Sequence, residues 1–351
     1  MKYSVARNIL LLLALLAACG PPVADRRPLL FVAYEKNPIL GTGIPGDWDT
    51  LSANTPDVVF DDSVFYLFYT GSNRVGNMSV GVAISYDGYH FTKYSGNPVF
   101  SPANTGFDAY AAGATRTIKI NGKWLMFYNA LEISGFSPGP CIGKAEATLP
   151  TGPWIRSEIP ILTTGKKGEW DDGFIIPGSV VVKDDGSYMM FYTGGREYHT
   201  FKDFCLGMAI SKDGISWKKY NDLSTTEHPF RDSDPVLFPG KGPEWDNSMI
   251  WISDIKLDKN GFKMYYTGIN VNEMVFTSSV GFATSNDGIR WNKYQGNPVF
   301  TAKDDPFTQT FTDQLFIENP CIIHVGNQYF MYYDYGGGHE NIGVAIAGLK
   351  N

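Results

Sequence analysis

Two acidic side chains and one arginine stand at matching places along a repeating pattern in this chain, with a third acid close by. Counting back from each copy of an aromatic pair puts Asp57, Arg116, Ser179, Asp254 and Cys321 at one height, and Glu318 lies three residues before the last of them. Carboxyl groups brought together can do acid and base work: one whose surroundings disfavour charge donates its proton, while an ionised neighbour attacks or activates water. Asp57, Asp254 and Glu318 are the catalytic candidates on this ground. A plainer reading stays open beside it. Crowded buried carboxylates cost several kcal/mol unless matched, so Arg116 neutralising Asp57 or Asp254 would make a polar plug.

The elements that must position these residues repeat five times. A strand ending recurs as Phe68-Tyr69-Thr70-Gly71, Phe127-Tyr128-Asn129-Ala130, Phe191-Tyr192-Thr193-Gly194, Tyr265-Tyr266-Thr267-Gly268 and Tyr332-Tyr333-Asp334-Tyr335, with a period of roughly sixty residues. A following strand recurs as Gly81-Val82-Ala83, Gly143-Lys144-Ala145, Gly207-Met208-Ala209, Gly281-Phe282-Ala283 and Gly343-Val344-Ala345. Asn121-Gly122, Asp185-Gly186 and Asn260-Gly261 supply tight turns between first and second strands, and Asp87-Gly88, Asp213-Gly214 and Asp287-Gly288 between third and fourth. Each unit reads as a four-stranded antiparallel meander, and the whole as an all-β, five-bladed propeller over residues 31–351.

Four units close with a phrase such as Asn97-Pro98-Val99-Phe100, which the last unit lacks. Asn37-Pro38-Ile39-Leu40 carries it ahead of the first blade, so the N-terminal strand is expected to pair with the last blade and close the ring, leaving no open edge. Meander geometry puts two loop sets on one face, around an axial funnel. The first holds Trp48-Asp49, Phe107-Asp108, Trp170-Asp171, Trp245-Asp246 and Phe307; these repeated pairs are expected to pin loops by hydrogen bonds. The second differs from blade to blade and holds Arg74, Glu132, Arg196-Glu197-Tyr198-His199, Glu273 and His339-Glu340, which makes this face the candidate for function.

Aromatic residues make up 15% of the chain, and the 38 Gly and 21 Pro suit a turn-rich β protein. Lys2 and Arg7 precede an apolar run, Ile9 to Leu16, too short to span a bilayer, which reads as an export signal over residues 1–18. Leu16-Ala17-Ala18-Cys19 resembles a bacterial lipobox, so Cys19 is the expected lipidation site and residues 19–30 a tether to the membrane. The expected location is the cell envelope: the outer membrane in a Gram-negative cell, otherwise the outer face of the cell membrane. Loss of Lys2 and Arg7 takes the formal charge from −7 to −9, with no basic stripe for phosphates, so nucleic acid is not an expected partner. Cys141, Cys205 and Cys321 then remain, an odd number; corresponding positions in neighbouring blades are usually too far apart for a Cys141–Cys205 disulfide. Three hard oxygen ligands could suit a cation, but Arg116 at the same height argues against one, and neither metal nor cofactor is expected.

The phrases Tyr66-Leu67-Phe68-Tyr69-Thr70-Gly71, Gly81-Val82-Ala83-Ile84-Ser85-Tyr86-Asp87-Gly88 and Asn97-Pro98-Val99-Phe100 resemble the five-bladed propeller glycosidases, a superfamily of arabinanases, β-xylosidases, invertases, levansucrases and mannoside phosphorylases. The resemblance covers nearly all of residues 31 to 348 and implies hydrolysis or transfer of glycosidic bonds in the funnel, with carbohydrate as partner. It implies axial carboxylates on blades one, two and three. Asp57 matches the first, whereas Arg116 and Ser179 stand where the other two are kept, so Asp254 and Glu318, or Glu132 and Glu197, would have to compensate. On this reading Glu318 or Glu197 stays protonated as the acid while Arg116 keeps Asp57 ionised. Substrate contacts would come from Arg116, Arg196, Glu197 and His199, with Trp251 and Tyr110 stacking on or bonding to the sugar. Carboxyl groups ~5 Å apart would imply retention and ~6.5 to 9.5 Å inversion. The competing expectation is a propeller lipoprotein that holds a glycan or protein without turnover. The oligomeric state is left open.

Overall fold

The structure, a computed structural model, describes residues 26–74, 77–133, 140–196, 203–272, 275–310, 316–335 and 341–348. Five antiparallel sheets radiate from one axis. Their innermost strands are Ser52–Asp61, Ala111–Ile120, Phe174–Val182, Met249–Asp258 and Glu318–Val325. The second and third strands follow as meanders through the expected tight turns. The outermost strands are short pieces, such as Thr92–Lys93 and an isolated bridge from Val80 to Phe100, and short outer edges offer little for another chain to pair with. Ring closure is as expected: Val32 pairs with Ile346, Ala33 with Ala345, and Leu40 bridges Ile342, so the N-terminal segment completes the last blade.

Each residue of the recurring aromatic phrase has its own task. The first aromatic fills the seam to the next blade: Phe68 lies edge-on to Trp154, Phe127 to Trp217, Phe191 to Trp291 and Tyr332 to Phe91, with Tyr265 meeting Phe31 at the last seam. Aromatic surface in these wedges adds to the apolar burial between blades. The second aromatic works within its blade. Tyr69, Tyr128, Tyr192 and Tyr266 donate at 2.9–3.0 Å to Asp49, Asp108, Asp171 and Asp246, which also bind Lys93, Arg156, Lys219 and Lys293. In the last blade Tyr333, Tyr335 and Asn37 meet Asp305 instead. The Trp-Asp repeats are therefore loop clasps. The glycine inside each third strand is needed because the clasping ring lies across it: a Cβ at Gly81, Gly143 or Gly207 would overlap Tyr69, Tyr128 or Tyr192.

Each inner strand carries a β-bulge a few residues in, between Asn54 and Asp57, Gly113 and Arg116, Pro177 and Val180, Ile250 and Ser253, and Glu318 and Cys321. The extra residue bends the strand and re-aims the side chains beyond it. Thr55, Ala114 and Asn319 take positive φ of 48°, 44° and 54° there. The bulge divides the axis into an upper level, where the strands begin at the funnel, and a lower level holding the ring of Asp57, Arg116, Ser179, Asp254 and Cys321.

Candidate functional site

The lower ring forms as the repeat requires, and its members are only 3–5% exposed. Four of the five hold the next blade. Asp57 Oδ2 accepts the backbone N–H of Thr117 at 2.5 Å, Ser179 Oγ that of Ile255 at 2.6 Å, Asp254 Oδ2 that of Ile322 at 2.8 Å and Cys321 Sγ that of Val58 at 3.2 Å. Each amide belongs to the residue after the ring member of the following blade, so the ring is a belt of side-chain latches. Arg116 breaks the belt. Its Nη1 donates to Thr115 O at 3.0 Å, while its buried Nε and Nη2 have no partner among the described residues.

A second belt lies above, made by the residue that follows each aromatic pair. Thr70 Oγ1 accepts the N–H of Ala114 at 2.7 Å and Thr267 Oγ1 that of Asn319 at 2.8 Å. Asn129 Nδ2 donates to Ile175 O at 3.0 Å and Thr193 Oγ1 to Ile250 O at 3.4 Å. In the last blade this residue is Asp334, whose Oδ2 accepts the N–H of Thr55 at 2.5 Å and the Asn319 amide at 2.9 Å. Sequence reasoning did not single out Asp334 as a site residue. The available signal was an acid in a column otherwise filled by Thr and Asn.

Burial sets the electrostatics of the axis. It pushes Asp57 up to about 6 against the opposing pull of Arg116 and the Thr117 hydrogen bonds. Asp334 is pushed up to about 6 for the same reason, against the Thr55 N–H, Asn319 and Arg116. Arg116 pulls Asp57 toward its ionised form, but desolvation outweighs the guanidinium and leaves the carboxyl above its ordinary value. Burial also pushes the Cys321 thiol up to about 12, leaving it unreactive. Asp254 is differently placed. Its Oδ1 meets Lys256 Nζ at 3.0 Å and the Ser179 hydroxyl at 3.4 Å while its Oδ2 serves Ile322, so both oxygens are engaged.

The remaining candidates divide by exposure. Glu318 opens the inner strand of the last blade, opposite Asp334 in register, and is half-buried at the funnel end. Asn54, Thr55, Tyr110 and Trp251 share that partial exposure at the starts of the other inner strands. Trp251 stacks on Phe174 at 5.6 Å and Phe204 at 6.0 Å, a three-ring platform between blades three and four. Arg196 is exposed where the second strand of blade three ends. Glu197 and His199 lie outside the described residues, as do Cys19 and the signal segment 1–18. Cys141, Cys205 and Cys321 are free thiols. The structure thus separates a latched floor, holding Asp57, Arg116 and Asp254, from an accessible upper level with Glu318, Trp251 and Tyr110, where a sugar could be gripped and a proton delivered.

Comparison with known families matches residues 47–239 to the one described as β-1,4-mannooligosaccharide phosphorylase, glycosyl hydrolase family 130. An uncharacterized protein of Mycobacterium tuberculosis is 23% identical over 318 residues, covering 87% of this chain and 95% of that protein. A β-1,2-mannobiose phosphorylase of Thermoanaerobacter is 27% identical over 117 residues, 30% of this chain and 36% of that enzyme. Among solved structures, a glycosidase from Bacteroides thetaiotaomicron aligns with a TM-score of 0.70 at 18% identity, covering 92% of this chain and 97% of that one. A β-1,2-mannobiose phosphorylase from Listeria innocua aligns at 0.64 and 14% identity, covering 91% and 96%. At these identities the structural likeness concerns the fold.

Proposed function

Because the chain belongs to the family described as β-1,4-mannooligosaccharide phosphorylase, which matches more than half of its residues, we propose that it breaks mannosidic bonds of oligosaccharides held in the funnel and transfers the sugar to inorganic phosphate. The observation that carries the assignment of roles is the division of the axis into two levels. Of the three catalytic candidates, Asp57 and Asp254 are buried and engaged with backbone amides of the next blade, whereas Glu318 is partly open at the funnel end. Glu318 is the proton donor to the departing sugar oxygen, and Trp251 and Tyr110 hold the ring by stacking and hydrogen bonding.

The test is incubation of the mature protein with β-1,4- and β-1,2-mannobiose, with and without inorganic phosphate. Phosphate-dependent release of mannose 1-phosphate supports the proposal. Release of free mannose in both conditions would make the enzyme a hydrolase, and no product with either disaccharide would remove the mannoside assignment. A second reading, a module that holds glycan without turnover, is favoured by the engagement of both Asp254 oxygens. Thermal stabilisation by the sugar without any product would support it.

The export reading belongs to the same proposal: the chain is cleaved before Cys19, lipidated there and held at the cell envelope. The small residues Ala17 and Ala18 directly ahead of Cys19 and the Gly20-Pro21-Pro22 breaker after it support this. Cys19→Ala should move the protein from the membrane fraction to the soluble one.

A further inference from the structure

We infer that the tethered protein rests with the hairpin face of its propeller toward the bilayer and its funnel turned away from it, an inference that rests on the Cys19 lipid-anchor reading above. Strand direction fixes the side from which the N-terminal segment arrives. Every third strand starts on the funnel face and ends on the face of the tight hairpins. Val32–Ala33 pairs antiparallel with the third strand of the last blade, Asn341–Gly348, with Val32 opposite Ile346 and Leu40 farther up opposite Ile342. The polypeptide ahead of Val32 must therefore arrive from the hairpin side.

Its described part does so along a fixed path. Phe31 packs edge-on against Tyr265, and the N–H of Leu29 donates to the hydroxyl of that tyrosine at 2.8 Å. Arg26 donates to the side chain of Asn286, the residue that follows the third strand of blade four and enters its hairpin. Residues 26–31 are thus pinned at the lower rim between blades four and five.

Length then decides the orientation. From Cys19 to Arg26 is 26 − 19 = 7 residues, which can span at most about 25 Å fully extended. A ten-residue inner strand such as Ser52–Asp61 stands about 33 Å tall. The tether cannot run from the lower rim up past a blade, so the funnel face cannot meet the bilayer unless Val32–Ala33 unpairs and the ring opens.

The face so presented carries exposed Tyr86, Leu149 and Ile215 on its turns, 81%, 57% and 64% exposed. Charges of both signs stand among them, including Lys212, Asp213, Asp287 and Arg290. Mixed charge gives no general attraction to anionic lipid, so the covalent tether rather than the surface must hold the protein down. The funnel, with Glu318 and Trp251, then opens to the medium, where long oligosaccharides arrive without passing between protein and membrane.

The experiment uses the mature lipidated protein, beginning at Cys19, reconstituted in phosphatidylethanolamine–phosphatidylglycerol vesicles containing brominated lipid. An environment-sensitive fluorophore is placed by Ile215→Cys on the hairpin face or by Ile44→Cys on the funnel loops; Cys141, Cys205 and Cys321 are buried and stay unlabelled. The label at position 215 should be quenched at least twofold and that at 44 should not. The reverse pattern, or no quenching at either position on vesicle-bound protein, overturns the orientation. Lys212→Cys gives a second hairpin site should Ile215→Cys not fold. Cys19→Ser should stay in the aqueous phase. Wild-type protein that stays aqueous with Cys19 unmodified would show that the anchor reading itself has failed, and the orientation with it.

Discussion

Asp57 accepts the backbone N–H of Thr117, 60 residues along the chain, so a carboxylate on blade one holds the inner strand of blade two. Ser179, Asp254 and Cys321 repeat the relationship at three further seams, with an alcohol, an acid and a thiol doing one job. What the position requires is an acceptor of the right reach. A carboxylate there is no evidence of catalysis by itself.

Asp57 can accordingly be separated into an acceptor and a charge. Asp57→Asn keeps a carbonyl oxygen for the Thr117 amide and should cost less than about 1 kcal/mol. Asp57→Ala leaves that buried amide without a partner and should cost about 1–3 kcal/mol. Urea unfolding near pH 4, where the raised Asp57 carboxyl is protonated in the folded protein, measures both. Equal losses for the two variants would show that the latch contributes nothing.

Stability should fall as pH rises from about 4 to about 6. Asp57 and Asp334 are each raised from 3.8 to about 6 in the folded protein, so within that window the folded state binds more protons than the unfolded one and stability declines with pH. A shift of about 2 units corresponds to roughly 3 kcal/mol per group, lost by pH 7. Asp213, held down at about 2 by the amides of Ser216 and Ile215, acts in the opposite sense only below pH 4. Melting temperatures between pH 4.5 and 7 should therefore descend for the wild type and flatten in the Asp57→Asn, Asp334→Asn double variant. A wild-type curve that rises over this range would contradict the raised values.

The clasps make a graded prediction. Asp171 is wholly buried and binds both Tyr192 and Lys219. Tyr192→Phe removes one neutral donor and should cost about 1 kcal/mol. Lys219→Met removes the compensating charge and should cost about 3–5 kcal/mol, because a buried carboxylate is left unpaired. Denaturant midpoints of the two variants check the order, and a cheaper Lys219→Met would mean that water reaches Asp171.

Much of this architecture was legible because it is periodic. The aromatic phrase, the Asp-Gly and Asn-Gly turns and the displaced Asn37-Pro38-Ile39-Leu40 specify blades, hairpins and ring closure through local chemistry repeated five times. The level of Asp57, Arg116 and Asp254 could be counted from register. The engagement of Asp57 and Asp254 could not, because it depends on the bulges before them, between Asn54 and Asp57 and between Ile250 and Ser253, turning side chains toward amides of a neighbouring blade. Asp334 escaped notice for a related reason: an acid in a latch column looks like a strand residue until burial and the Thr55 amide are seen together. Glu169 is a further case. It repeats Asp47 and Glu244 of blades one and four, yet is wholly buried against His228, 2.8 Å away, because residues 221–233 fold over it.

Glu318 gives the most direct test of the chemistry. A half-buried side chain at the start of a strand contributes little packing, so Glu318→Gln should change stability by under about 1 kcal/mol. If Glu318 delivers the proton to the departing oxygen, kcat on mannobiose should fall about 10²- to 10⁴-fold while KM changes little. An aryl mannoside, whose leaving group needs no proton, should recover most of that loss, a rescue that a merely structural residue would not permit. Asp254→Asn offers the contrast: its oxygens hold Ile322 and Lys256, so the loss should appear in stability and be equal for both substrates. Unchanged kcat in Glu318→Gln, or a loss that the aryl substrate fails to repair, would move the acid to another residue of the upper level.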